Sequence, residues 1–143
     1  MFASPYAQRS SRAARPGGLY QQVSVESQLT DASPHRLVAM LFDGWMEAVA
    51  QARGAMRNGD AVNKGMAIGR AVRIVEEGLR AGLDMRAGGR LAQDLNELYT
   101  YLTVRLTQAN LRNDEAALDE CVSLVRPLQE AWAAIGPAVA DAR

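Results

Sequence analysis

Between Pro34 and Ile135 apolar residues recur every three or four positions in four long stretches, and the breaks between the stretches are short. A helix with such a stripe has to bury it against neighbours, and a connection of a few residues forces the next helix to run back alongside the last. The fold class that follows is all-α, an up-down-up-down antiparallel four-helix bundle preceded by a flexible N-terminal leader.

The first stretch carries the clearest start. Ser33 is a good N-cap and Pro34 suits the first helical position, having no N–H to leave unpaired and a φ already set for helix. Leu37, Leu41, Trp45, Ala48 and Ala52 then form a stripe flanked by Val38, Phe42, Val49 and Met56. His35, in the first turn, is expected to face solvent. Asn58-Gly59-Asp60 supplies a stop and the next cap. The second stretch, Ala61 to Leu83, presents Ile68, Ala71, Val72, Val75, Leu79 and Leu83 on one side. It also contains Gly65, Gly69, Gly78 and Gly82, each costing about 1 kcal/mol relative to alanine, which leaves two readings, close backbone packing or a groove for a partner helix.

Gly88-Gly89 reads as a turn. In the third stretch Leu91, Leu95, Leu98, Leu102, Leu106 and Ala109 are expected to be buried, with Tyr99 and Tyr101 at the core margin. Asn113 or Asp114 caps the fourth, whose inward face is Leu118, Cys121 or Val122, Val125, Leu128, Trp132 and Ile135. Pro127 lies inside it and removes a backbone bond, so a kink or a break is expected near residues 123–126.

Upstream, residues 1–19 hold Arg9, Arg12 and Arg15 without an acid and read as a disordered arm. Residues 20–32 carry Tyr20, Val23, Val25 and Leu29 at spacings between the helix and strand periods, a leader able to dock weakly on the bundle of residues 33–138. Docking is weak because ordering each residue costs about 1–2 kcal/mol.

Composition narrows the functions. Lys+Arg and Asp+Glu balance at 16 each, so no net field favours nucleic acid. No apolar run is long enough for membrane insertion. One cysteine and one histidine leave no disulfide framework, no site needing two imidazoles and no catalytic constellation, so neither an enzyme, a metal nor a cofactor is expected. Cys121 is expected to be a buried, inert thiol.

The order of residues adds a resemblance. The run from Ser33 through Gly44, the upstream Tyr20, Gly88-Gly89-Arg90-Leu91-Ala92, the segment from Asp94 to Tyr101, Arg105-Leu106, Ala109-Asn110 and Glu130-Ala131-Trp132 resemble the flagellar secretion chaperone family in order and spacing. The resemblance implies a cytoplasmic four-helix bundle that binds the unfolded C-terminal segment of flagellin, prevents premature polymerisation and delivers the subunit to a component of the type III export gate. It associates the leader tyrosine with client binding and with a leader that occupies part of the groove when no client is present. On that basis the expected client-binding residues are Tyr20, Val23, Leu29, Leu41 and Trp45. Trp45 and Met46 depart from the smaller residues usual in the family after Asp43-Gly44, and Pro127 departs in the last helix. The competing expectation is a homo-oligomeric structural or adaptor bundle, a homodimer at its simplest, whose exposed stripes cover one another.

Overall fold

A computed structural model describes residues 33–136, and the arm and leader expected over 1–19 and 20–32 lie outside the described residues. Helix α1 spans Pro34–Arg57 and α2 spans Ala61–Arg73. The latter runs directly into a π-helical segment, Ile74–Leu79. Helices α3 and α4 span Gly89–Arg112 and Glu115–Ile135. No strand occurs among the described residues.

Local chemistry explains where the helices begin. The Asp60 carboxylate accepts the Asn63 N–H at 3.1 Å at the head of α2, and Asp114 accepts the Ala117 N–H at 3.2 Å at the head of α4, each satisfying an amide with no partner inside its helix. Asn113 ends α3 in the left-handed region (φ 50°), a conformation asparagine tolerates better than most side chains.

Cross-helix contacts fix the direction of travel. From one end of α1 to the other, Arg57 meets Glu115, Arg53 meets Asp119, Asp43 meets Gln129 and His35 meets Trp132, so α4 runs antiparallel to α1. Lys64 bonded to Asn110, Glu76 to Thr103 and Arg80 to Asn96 show the same reversal between the second helical stretch and α3. The core between them contains Trp45, Val49, Val75, Leu102, Leu106, Leu118, Cys121 and Val125, all essentially solvent-free.

The π-helical segment replaces the unbroken second helix expected to reach Leu83. Its mark is the Arg80 N–H, which donates to the Val75 carbonyl five residues back at 2.7 Å. Apolar spacing does not announce it, because Val75 to Leu79 is still a step of four. The wide turn is braced from outside: the Arg80 guanidinium holds Glu76 at 2.9 and 3.1 Å and reaches the Asn96 carbonyl and the Thr100 hydroxyl, while the Thr103 hydroxyl donates to Glu76 at 2.7 Å. Arg80 and Thr103 together hold the Glu76 carboxyl below its ordinary pKa.

Of the two readings of the second stretch's glycines, close packing is realised at one position. A Cβ on Gly78 would stand 2.9 and 3.0 Å from the Leu41 methyls, so Gly78 lets α1 approach closely, whereas Gly65 faces open space. Gly88 is required by its turn: a Cβ there would lie 2.7 Å from the Asp84 carbonyl and 2.6 Å from the Ala92 Cβ. The Asp84 carboxylate closes that turn by accepting the N–H groups of Arg86 and Ala87.

Other expectations need correction. Helix α4 passes through Pro127 without the break that is one of the two expectations there. Leu91 and Ile135, expected in the core, are 68% and 43% exposed, and Tyr99, expected at its margin, is buried. His35, expected to face solvent, is buried against Trp132. The cause is common to all four residues: local periodicity assigns a face but does not know where along the bundle the neighbouring helices end.

Candidate functional site

A cavity with largely apolar walls, about 330 Å³, opens at the end of the bundle where α1 begins, the π-helical segment ends, α3 begins and α4 ends. Every helical stretch contributes a wall. Val38 and Phe42 come from α1, Leu79 and Leu83 from the end of the second stretch, Leu91, Leu95 and Tyr99 from α3, and Leu128, Trp132 and Ile135 from α4. Gly78 and Gly82 line the same space.

Few polar atoms reach this cavity. Burial pushes the Tyr99 phenol above its ordinary pKa, against a smaller opposing effect of Arg80. The Trp132 indole N–H is committed to the His35 carbonyl at 3.0 Å. In return His35 Nε2 lies 2.9 Å from the Trp132 carbonyl, and the two rings stack with centroids 5.1 Å apart and planes 11° from parallel. Such a lining does no acid-base work. It takes up apolar side chains, each contributing about 1.5–3 kcal/mol when removed from water.

The opposite end of the bundle offers a different surface. A pocket of about 130 Å³ there is lined by Asp60, Lys64 and Asn113, but the Lys64 ammonium is committed to the Asn110 carbonyl at 2.9 Å and the Asn113 amide oxygen at 2.6 Å. It serves the C-terminal carbonyls of α3, where the helix dipole is negative. Elsewhere, Cys121 is enclosed, and burial, with the nearby Glu120 charge, pushes its thiol up to about 11, which leaves little thiolate for chemistry at neutral pH. Among the described residues no group of three or more His, Cys, Asp or Glu side chains could hold a metal, and no helix is long and apolar enough to cross a membrane.

Against this geometry the expected client-binding residues separate. Tyr20, Val23 and Leu29 lie outside the described residues. Leu41 is half-buried, seated on Gly78 behind the cavity wall. Trp45 is fully enclosed in the core, as its place in the apolar stripe of α1 implies. Sequence reasoning missed Val38, Phe42, Leu128 and Trp132 as one site, although the apolar spacing carried on to the end of α4, past the last core residue, is the signal that could have revealed it.

Comparison with known proteins completes the description. The model of the family described as Flagellar protein FliS matches residues 17–139. The flagellar secretion chaperone FliS of Salmonella typhimurium is 50% identical over 118 residues, covering 82% of this chain and 87% of that protein. The flagellar secretion chaperone FliSB of Pseudomonas aeruginosa is 47% identical over 113 residues (79% and 89%), and FliS of Bacillus subtilis is 30% identical over 117 residues (82% and 83%).

Proposed function

Because the chain belongs to the FliS family, a family of flagellar secretion chaperones and not of enzymes, we propose that it binds the disordered C-terminal segment of flagellin in the cytoplasm, keeps it from polymerising and presents it to a component of the flagellar export gate. The observation that carries the reading is the apolar cavity at the open end of the bundle, walled by all four helical stretches. A segment that is unfolded alone and helical when assembled has an amphipathic face to bury, and an apolar groove on a rigid bundle supplies the surface. Val38, Phe42, Leu91, Leu95, Leu128 and Trp132 are the contacts, with Leu41 supporting the wall from behind.

On the same reading the leader, residues 20–32, competes with the client for part of the groove. It joins α1 directly ahead of the turns that bear Val38 and Phe42, and its anchors Tyr20, Val23 and Leu29 are too few for tight docking. Once the leader is displaced Tyr20 becomes a client contact, so Tyr20→Ala should weaken client binding by about 1–3 kcal/mol, the range for losing a large interface aromatic.

Calorimetric titration with a synthetic flagellin C-terminal peptide, at several temperatures and two salt concentrations, tests the proposal. Groove binding gives a large negative ΔCp and little salt dependence. A ΔCp near zero with affinity collapsing in salt would place the client on the charged faces. Light scattering adds a second arm, since a stable oligomer indifferent to the peptide would assign the groove to self-association.

A further inference from the structure

The wall that α4 contributes is built differently from the others. Ahead of Pro127 the helix is anchored by Leu118, Cys121 and Val125, all enclosed; beyond it no described residue is fully buried. Pro127 has no N–H to give the Ser123 carbonyl and its ring crowds that oxygen, so the helix is weakest just before the segment that lines the cavity. Among the described residues, polar side chains tie this segment to α1 at two places. Gln129 Nε2 donates to Asp43 at 2.9 Å, and the His35–Trp132 pair joins the first turn of α1 to the last turn of α4 across 97 residues of sequence. A carbonyl only accepts, so His35 Nε2 is the protonated nitrogen and the two hydrogen bonds run in opposite senses between the same two residues.

Size supplies the second argument. An amphipathic helix docks through anchors at i, i+3 or i+4 and i+7, whereas about 330 Å³ is at the small end even for pockets that hold a single small molecule. As it stands the cavity admits part of such a face and no more.

We propose that residues 127–135 of α4 form a hinged wall of the cavity, latched shut by the His35–Trp132 pair, and that release of the latch opens the groove to an amphipathic client helix. The occupant rests on the function proposed above; the hinge and the latch do not.

Hydrogen exchange of the free protein tests the device. Amides of residues 128–135 should exchange faster than those of 118–125 in the native chain, because local opening there does not need the core to open. His35→Ala should raise exchange in 128–135 about tenfold further, through loss of one tie and the stack, and leave 118–125 unchanged. Trp132→Phe, which keeps a ring but removes the indole donor, makes the same test should His35→Ala fold poorly. Pro127→Ala, by restoring the missing bond, should slow exchange in 128–135. Uniform protection across α4 in the native chain, or exchange in 128–135 that ignores both latch variants, overturns the proposal. In stopped-flow mixing with the flagellin C-terminal peptide, His35→Ala should bind several-fold faster and Pro127→Ala several-fold slower. If association is the same in both, the wall does not gate entry and the proposal falls in that part. If the peptide binds no form, native included, the client reading fails while the exchange data still decide the hinge.

Discussion

The two ends of this bundle are made of the same helices and solve opposite problems. At the turn end the reversals are tight, and small residues, Ala52, Ala109 and Ala117, sit there without any exposure. The Asp60 and Asp114 caps, the Lys64 ammonium and the pairing of Arg53 and Arg57 with Glu115 and Asp119 answer the polar groups the helix ends leave over. At the open end large apolar residues stand around a cavity and remain partly in water, with Leu91 and Ile135 the most exposed. One end spends its residues on closure and the other keeps apolar surface unmatched. The lesson is that stability and binding can be separated along the length of a bundle as well as around it.

Mutations can break that comparison or sharpen it. The largest effect belongs to the core both ends share: Trp45→Ala should cost about 3–5 kcal/mol in urea unfolding, while the fraction still folded keeps its peptide affinity. A selective loss of affinity would return Trp45 to the client surface and blur the division. Next comes the turn end, where Lys64→Met leaves the Asn110 carbonyl and Asn113 oxygen without their donor. It should cost about 1–3 kcal/mol of stability with client affinity unchanged. The open end should show the reverse. Leu91→Ser should leave stability within about 0.5 kcal/mol, since the residue is mostly in water, and weaken peptide binding about tenfold in calorimetry.

Acid makes a finer distinction. Hydrogen bonds from Asn63 hold the Asp60 carboxyl below its ordinary pKa, and the Arg57 guanidinium does the same for Glu115. A carboxylate whose folded pKa is depressed contributes stability that is present above its unfolded value and is lost as the pH falls through the folded one. The melting temperature should therefore drop below the ordinary carboxylate range, and less so in Asp60→Asn with Glu115→Gln. Both groups are in contact with solvent, which screens their partners, so the effect is small. An acid limb unchanged by these substitutions would show that the ion pairs of the turn end do not contribute to its closure.

The turn end was readable from sequence and the open end was not, for a physical reason. Caps and stops are chemistry between residues a few positions apart, so Asp60 and Asp114 mark their helices whatever the rest of the chain does. His35 is assigned its surroundings by Trp132, at the far end of the described chain, and no local pattern contains that pair. Leu91 and Ile135 keep the apolar period of their helices beyond the point where neighbours remain to cover them. The π-helical segment hides in a spacing of four that an α-helix shares. The resemblance carried the family, and the period alone carried Trp45 into the core.

The chain's two tryptophans give these two regions separate optical signatures. The Trp45 indole is sealed in the core and its N–H has no hydrogen-bond partner among the described residues, the environment of a blue emitter that soluble quenchers cannot reach. Trp132 donates a hydrogen bond, stacks on an imidazole and borders the cavity, so its emission is redder, open to quenching by the ring beside it and sensitive to whatever fills the space in front. Without any added label, the blue component of the spectrum follows unfolding and the red component follows occupancy of the groove.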